Sequence, residues 1–376
     1  MIRHSVARVA ALALLVVTPS LLTGQTTTGS TKRDNTGYGT TSAEFLLMGA
    51  NARGMALGGG YMALANDVGA LYANPGALAL IKRAGVQGSQ LNYVGDTKLT
   101  WGGVATPYGG GSGALGFSLG NFGFSDQPVY TPQQPNGTGE FYSVSEAYAA
   151  ATISKNFSDR FSVGMSVKGI FDRLGQVNGS AFAVDFGTHF HSQLAGKPMR
   201  FAFALSNLGT NLSYKGDPLR VTSVRDTLPG DGDVSSQPVP SERRTSPYSL
   251  PTKFSVALAY DFISTPDARF TLTSEFNQMR SNKASFSAGG EFAAERISGS
   301  PFGVAVRGSY TSNPSLAYSS AGVAYDKQEK DKGQGLAVGG GVMLASRGGF
   351  ALGFDYAWKK MGALGNVQFF TITLGW

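Results

Sequence analysis

The 376-residue chain contains no cysteine, only three histidines and a small share of charged residues. The absence of cysteine excludes disulfide scaffolds, cysteine-ligated zinc, iron–sulfur clusters and thiol catalysis. Three histidines leave too few ring nitrogens for a rich metal site, so neither a metal nor a cofactor is predicted. Charged residues make up 15% of the chain, whereas soluble domains contain about 25%. This composition is not typical of an ordinary soluble enzyme.

A short apolar run near the start of the chain predicts a secretory signal. It covers residues 9–17, follows Arg3 and Arg8, and is followed by a small residue before Gln25. The run is too short to cross a bilayer as a helix, which takes about 20 apolar residues. We therefore expect a signal peptide over 1–24. Residues 25–42 are rich in Thr, Gly and Ser and are predicted to form a flexible periplasmic arm.

Glycine and alternating apolar residues are abundant. The chain has 52 glycines without a Gly-X-Y period, which excludes a collagen-like chain. From residue 85 onward, apolar residues recur at every second position in segments of about ten residues, as in membrane-spanning strands. Clear examples are 161–168, 253–262 and 350–359, where one face is apolar and the other is small or charged. Lys and Arg do not cluster with aromatic residues, so no nucleic-acid partner is predicted.

Fourteen such segments can be counted. They are predicted at 85–94, 99–108, 113–125, 143–154, 160–172, 180–190, 199–210, 251–263, 268–279, 284–295, 301–311, 334–345, 349–359 and 366–376. Short connections alternate with longer ones, notably 126–142, 211–250 and 312–333. An even number of strands with short turns and longer loops is typical of bacterial outer-membrane proteins. The sequence therefore predicts an all-β fold, a 14-stranded antiparallel transmembrane β-barrel over 85–376.

The last predicted strand ends on an aromatic residue. Phe370, Ile372, Leu374 and Trp376 alternate with threonine and glycine, which is similar to the C-terminal insertion signal of outer-membrane proteins. Lipid offers no partner to an unpaired backbone N–H or C=O, so the strands must close into a barrel. We expect outer-membrane lipid and the barrel-assembly machinery as partners. The expected location is the bacterial outer membrane, with both termini in the periplasm.

Residues 43–84 carry apolar residues without alternation and closely spaced glycines. A compact segment ahead of the first strand is predicted to fold into the lumen as a hatch. Arg53 lies in this apolar stretch, and a buried cation needs a counter-charge, for which Asp67 is the predicted partner. Further available partners on the predicted strands are the inward-facing acids Asp172, Asp185, Asp261, Glu275, Glu291 and Asp355, alongside Lys168, Arg307 and Lys359. These charges are predicted to hold the hatch, and a ligand-selective ring is the alternative.

Residues 45–78 resemble part of a known protein family. The pattern F-L-x-x-G-x-x-A-R-G-M-A-L-G-G-G-Y over 45–61 precedes A-N-D-x-x-A-L-Y-x-N-P-G-x-L over 65–78. Together they resemble the start of the PorV/PorQ family, which is similar to the FadL-type fourteen-stranded barrels. The resemblance implies that Asn74, Pro75 and Gly76 form the turn that ends the hatch, with Gly76 in place of alanine. Pro75 also restricts Asn74 to extended conformations, so a plain structural turn is the alternative.

The resemblance also implies a lateral exit. In FadL-type barrels an inward kink of the third strand opens towards the membrane. Gly120, Asn121, Phe122 and Gly123 lie in the corresponding strand, and glycine weakens strand pairing and marks bends. These four residues are the predicted kink, with close packing against the hatch as the alternative.

Two functions remain open. The PorV/PorQ resemblance implies an interaction barrel that works with type IX secretion components. The alternative is a FadL-like passive transporter of hydrophobic small molecules, with the hatch as its gate. The predicted loop 211–250 is polar and poor in aromatic residues, which favours interaction. No catalytic residue and no enzyme activity are predicted, because His189 and His191 have no G-x-S-x-G or comparable arrangement near them.

Overall fold

The structure, a computed structural model, describes residues 37, 39–223, 239–294, 297, 300–312, 319–320, 323–324, 335–345 and 349–376. The predicted signal peptide over 1–24 and most of the predicted arm, residues 25–36, lie outside the described residues. The same is true of 224–238, in the middle of the longest predicted loop.

Fourteen antiparallel strands of the described residues form a closed barrel. They are β1 (Gly85–Asn92), β2 (Lys98–Tyr108), β3 (Gly113–Pro128), β4 (Phe141–Ser158), β5 (Phe161–Leu174), β6 (Val177–Leu194), β7 (Lys197–Gly209), β8 (Lys253–Ser264), β9 (Ala268–Met279), β10 (Ser285–Ala294), β11 (Phe302–Ser312), β12 (Leu336–Ala345), β13 (Ala351–Lys360) and β14 (Asn366–Gly375). Each strand pairs with its neighbours in sequence, and β14 pairs with β1. Every strand overlaps one predicted segment, so the predicted fold is confirmed.

Successive residues of each strand face opposite sides of the barrel wall, because the side-chain period of a strand is two. In β8, Phe254 and Phe262 face outward and are 42% and 49% exposed. Ser255, Ala257 and Asp261 face inward and are at most 1% exposed. The wall therefore presents large apolar side chains outside and small or polar side chains inside.

The two ends of the barrel have different connections. At the short-turn end, the strands are joined by 109–112, 159–160, 195–196, 265–267, 295–301 and 346–350. The long-loop end carries 129–140, 210–252 and 313–335. Four further connections at the long-loop end are short, namely 93–97, 175–176, 280–284 and 361–365. The expected alternation of short and long connections is therefore only partial, and one reason is that β5 and β6 extend further than predicted.

The remaining elements are short. Among the described residues, two α-helices precede the barrel, α1 (Ala52–Ala56) and α2 (Ala70–Ala73). The 3₁₀ helices are Glu44–Leu47, Gly60–Ala63, Pro75–Leu80, Val94–Asp96, Gly109–Gly111, Asp217–Leu219 and Gly362–Leu364. Short strands outside the barrel ring are Tyr214–Gly216, Arg220–Ser223, Val239–Glu242, Ser319–Ser320 and Val323–Ala324. Among the described residues, no helix has the length and apolar character needed to cross a membrane.

Residues 43–84, here called the inner segment, lie inside the barrel. Helix α1 contacts β11 to β14, the 3₁₀ helix Gly60–Ala63 contacts β7 to β10, and Pro75–Leu80 contacts β3 to β6. Since these contacts reach strands around the ring, the segment lies within it. Its apolar side chains include Phe45, Leu57, Leu71 and Leu78, each at most 2% exposed. Burial of these side chains against the inner wall stabilises the segment in the lumen.

The inner segment runs from the long-loop end to the short-turn end. Thr41 forms a parallel bridge with Ser249 in the loop 210–252, and the Ser42 N–H donates to the Ser249 carbonyl at 3.0 Å. At the other end, Ala84 precedes β1 and accepts a hydrogen bond from the Trp376 N–H at 2.9 Å. The end of the predicted arm is therefore fixed at the long-loop end. The C-terminal Trp376 follows β14 at the opposite, short-turn end, and residues 25–36 of the predicted arm lie outside the described residues.

Candidate functional site

Asn51 attaches helix α1 to the barrel wall. The backbone of Asn51 is extended, and its Oδ1 accepts from the Gly54 N–H at 2.7 Å, which caps the helix. Its Nδ2 donates to Gln87 on β1 at 3.3 Å. The next residue, Ala52, donates its N–H to Thr371 Oγ1 on β14 at 2.9 Å. These bonds fix the start of α1 beside β1 and β14.

Arg53 is the main ionic contact between the inner segment and the wall. Its Nε and Nη2 donate to the two carboxylate oxygens of Glu291 at 2.8 and 2.9 Å, and its Nη1 donates to Asp67 at 3.1 Å. The guanidinium also lies over the Tyr61 ring, 5.4 Å from its centre. Burial acts to lower the pKa of Arg53, but Glu291 and Asp67 overcome burial and raise the pKa above its ordinary value. The structure thus places Arg53 next to Asp67, with a bidentate contact to Glu291 in addition.

Glu291 is the centre of a buried network. Its carboxylate accepts from Arg53, from Arg269 at 2.7 Å and from Arg307 at 2.7 Å. The network is extended by Asp355, Thr271, Asp261 and Arg200. Four arginines face four carboxylates in it, so the buried charges compensate one another.

Arg200 and Arg269 are members of this network that were not predicted from the sequence. Arg200 lies two residues before the buried Ala202 of β7, and Arg269 lies two residues before the buried Thr271 of β9. The period of two therefore places both arginines on the inward face. This alternation was the signal that could have identified them.

The other predicted inward charges differ in their partners. Lys168 pairs with Asp185 at 2.6 Å, and Lys168 also donates to Asn207 at 2.9 Å. Asp172 and Glu275 are both 3% exposed and have no ion pair with any described cation. Lys359 likewise makes no ion pair within the described part of the chain. The inner wall thus has the compensated network around Glu291, the Lys168–Asp185 pair, and further charges that have no ion pair among the described residues.

The Asn74-Pro75-Gly76 turn packs on the wall between β5 and β6. Asn74 Oδ1 accepts from the Gly76 N–H at 3.0 Å, and Asn74 Nδ2 donates to the Thr188 carbonyl of β6 at 3.0 Å. Pro75 begins the 3₁₀ helix that leads out of the lumen. The Gly76 carbonyl accepts from Ser154 and Ser162 of the wall at 3.1 and 2.7 Å.

Glycine is needed on both sides of this contact. A Cβ at Gly76 would lie 2.6 Å from the Gly187 carbonyl oxygen. On the wall, a Cβ at Gly187 would lie 2.1 Å from Asn74 Oδ1, and one at Gly164 would lie 2.2 Å from the Pro75 carbonyl oxygen. The departure from alanine at Gly76 is explained by this close approach, because an added methyl group would push the turn off the wall.

The predicted third-strand kink is not seen at residues 120–123. Gly120 to Gly123 pair without interruption with both β2 and β4. The register between β3 and β4 shifts further on, between Phe124 and Gln127. A Cβ at Gly120 would lie 2.4 Å from the Tyr148 ring, which packs 6.2 Å from the Phe45 ring of the inner segment. The pairing of these four residues is therefore continuous, and close packing beside the inner segment explains Gly120.

The predicted insertion signal lies on β14. This strand pairs with β13 and β1. Ile372 is 54% exposed and faces outward, while Phe370 and Leu374 lie half-buried on the same face. Trp376 follows the end of the strand and is 61% exposed.

Two cavities lie at opposite ends of the barrel. The larger, about 1010 Å³, lies at the short-turn end and has charged and polar walls that include Lys82, Arg160, His189, His191 and Arg200. The smaller, about 370 Å³, lies at the long-loop end and is here called the loop cavity. Its lining is Thr41, Ser42, Leu174, Val177, Tyr214, Leu219, Thr245 and Tyr248. In the described ranges, no three His, Cys, Asp or Glu side chains come together to hold a metal.

The fold and the site define a class of protein, a closed 14-stranded antiparallel β-barrel with the preceding segment folded in its lumen. The chain is similar to the toluene transporter TbuX of Ralstonia pickettii, with 11% identity, a TM-score of 0.50, and 88% of this chain and 98% of that chain covered. It is also similar to a FadL homologue of Pseudomonas aeruginosa, with 11% identity, a TM-score of 0.49 and coverage of 87% and 98%. The toluene transporter TodX of Pseudomonas putida gives 10% identity, a TM-score of 0.46 and coverage of 81% and 91%.

The similarity to solved structures concerns the barrel fold. No protein-family model and no curated protein sequence matches the chain. At 11% identity and a TM-score of 0.50, the likeness to TbuX shows a shared barrel fold. It agrees with the FadL-type part of the resemblance noted in the sequence. The PorV/PorQ assignment is not supported.

Proposed function

We propose that the protein is an outer-membrane barrel that binds small hydrophobic molecules in the loop cavity and passes them inward. The observation that carries this proposal is the cavity itself, about 370 Å³ in volume and walled mainly by Leu174, Val177, Leu219 and two tyrosines. Ligand pockets have volumes of about 300–1,000 Å³ and predominantly apolar linings. The printed names of TbuX and TodX, both toluene transporters, support the same class of ligand.

The outer surface supports the proposed location. Large apolar side chains on the outward face are half-exposed, including Phe117, Phe203, Phe286 and Ile372. Exposure of this kind is unfavourable in water and favourable in a bilayer. The closed ring pairs the strand backbones, as hydrocarbon requires. In the proposed orientation the long loops face the outside and the short turns face the periplasm.

The inner segment is the proposed gate. It crosses the lumen and is held by the Arg53 contact at one side and by the Asn74 turn at the other. Both contacts are non-covalent, so the segment can shift without unfolding the wall. A bound molecule would then travel from the loop cavity past the segment towards the larger cavity at the short-turn end.

The secretion-associated reading is the second candidate. It is favoured by the polar composition of residues 211–250, part of which lies outside the described residues. Under that reading the loops bind type IX components and the loop cavity has no ligand. Co-purification of such components from native membranes, together with failure to bind small apolar molecules, would favour it over transport.

The test is direct binding of a neutral aromatic molecule. Purified full-length protein in detergent is titrated with 2-phenylethanol by calorimetry. We expect Leu219→Glu, which places a charge in the cavity wall, to weaken binding by about tenfold or more. The matched control is Leu364→Glu, which changes an exposed leucine at the same end of the barrel and should leave binding unchanged. Absence of binding to the unaltered protein would refute the transport proposal.

A further inference from the structure

The lumenal side of the loop cavity is rich in carboxylates. Leu174 lines the cavity at the end of β5, and Asp172 precedes it by two residues, so both lie on the inward face. In the pairing of β4 with β5, Glu146 stands directly opposite Asp172. The carboxylates of Asp172 and Glu146 therefore lie on the lumenal side of the cavity, two residues along the strand from the apolar wall residue Leu174.

Asp172 has an unused hydrogen-bond acceptor. Tyr214, which also lines the cavity, donates its hydroxyl to Asp172 Oδ2, and the Tyr214 oxygen lies 2.9 Å from Ser42 Oγ. Asp172 Oδ1 has no hydrogen-bond partner among the described residues, although the residue is only 3% exposed. A buried carboxylate oxygen without a donor is costly. A donor supplied by a bound molecule would remove this cost.

The missing donor is best supplied by a cation. Like charges directly opposite one another on paired strands repel, and no described Lys or Arg forms an ion pair with Asp172 or Glu146. A third carboxylate, Glu44, accepts from the cavity residue Thr41. A metal ion is disfavoured, since no group of three metal-ligating side chains is found over the described ranges.

We propose that the loop cavity takes small hydrophobic molecules that carry a protonated amine. The apolar body packs against Leu174, Val177 and Tyr248, and the ammonium group is directed to Asp172 and Glu146. This inference rests on the proposed function and adds the chemical class of the ligand. A ligand of this class fills the apolar cavity and also compensates the buried carboxylate of Asp172. A neutral hydrocarbon would leave that carboxylate without a partner.

The test compares molecules of equal size and different charge. Full-length protein in a non-ionic detergent at neutral pH is titrated with 2-phenylethylamine, 2-phenylethanol and 3-phenylpropionate. We expect the amine to bind about tenfold more tightly than the alcohol, since a charge-assisted hydrogen bond is gained, and the carboxylate to bind most weakly. In Asp172→Asn, which keeps the shape of the side chain, the ratio of amine to alcohol affinity should fall close to one.

The controls separate this inference from the proposed function. Asp217→Asn makes the same change at an exposed aspartate near the cavity and should keep the ratio. Glu146→Gln should lower the ratio as Asp172→Asn does, and heat-modifiable migration checks that each variant is folded. Equal binding of amine and alcohol to the unaltered protein would overturn the inference and leave the proposed function standing. Binding of neither would overturn both. Calcium chloride that displaces the amine at millimolar concentration would show an inorganic cation site instead.

Discussion

Arg53 joins the inner segment to the barrel wall through Glu291. The sequence indicates that a cation in an apolar stretch needs a counter-charge, and Asp67 is close in the chain. In the structure Glu291 takes two of its hydrogen bonds, and Glu291 is also neutralised by Arg269 and Arg307. Loss of Arg53 would therefore not leave Glu291 without a cation. Asp67 would keep bonds from Tyr61 and from the Gly69 N–H.

We therefore expect Arg53→Ala to loosen the inner segment without unfolding the barrel. The lost contact is worth about 3 kcal/mol, the lower part of the range for breaking a buried ion pair, because the remaining carboxylates keep other partners. The measurement is the frequency of opening events in planar bilayers, which should rise. The control is Arg220→Ala, whose pair with Asp217 is 76% and 80% exposed and contributes little. Equal opening frequencies in both variants would contradict the role of Arg53.

The wall glycines at the Asn74 turn give a second prediction at this scale. Gly187→Ala places a Cβ 2.1 Å from Asn74 Oδ1, and we expect it to weaken the contact by about 1–3 kcal/mol. Limited proteolysis in detergent should then cut the inner segment more readily than in the unaltered protein. Gly88→Ala is the matched control, because nothing lies within 4 Å of its added Cβ. Similar digestion of both variants would show that the Asn74 turn does not pack closely against Gly187.

Strand β14 is the element that closes the barrel. It pairs with β13 on one side and with β1 on the other. Removal of Phe370–Trp376 would leave the backbone groups of both neighbours unpaired in lipid, where each costs several kcal/mol. We expect this truncation to abolish assembly, measured as loss of the heat-modifiable band in membrane fractions. Normal insertion of the truncated chain would be incompatible with the closing role of β14.

The inner segment is the second element with a separate role. It fills the lumen of a fourteen-stranded ring that is otherwise wide enough for water and ligand. We expect low ion conductance from the intact protein in planar bilayers and a large increase after deletion of 43–80. Heat-modifiable migration of the deletion variant serves as the control for barrel folding. Stable, large conductance from the intact protein would mean that the segment leaves a wide path open.

The whole molecule has two unlike ends, and this predicts an accessibility pattern. With the long loops outside, protease added to intact cells should cut near the exposed Arg243 and Arg244 in loop 210–252. The charged stretch 327–332 is a second expected site and lies outside the described residues. The short turns, such as 159–160 and 195–196, should be cut only after the outer membrane is opened. Cutting of these turns in intact cells would reverse the proposed orientation.

The sequence by itself determined the barrel. All fourteen strands were predicted from alternation, because lipid outside and a filled lumen inside require opposite polarity on the two faces of every strand. Strand ends were less accurate, since residues such as Leu174 and Val177 extend the strands into what the sequence predicts to be loop. The need of Arg53 for acidic partners also followed from local chemistry alone.

Only the tertiary structure decided how the inner segment enters the barrel and what it touches. The contact of Arg53 with Glu291 joins residues far apart in sequence, and so do the glycine contacts of the Asn74 turn. The loop cavity with Asp172 beneath it combines β5, β6, the loop 210–252 and residues 41–42, just ahead of the inner segment. Such groupings depend on closure of the ring, which brings strands that are distant in sequence to face one another across the lumen. The local periodicity of the sequence does not specify which residues meet in this way.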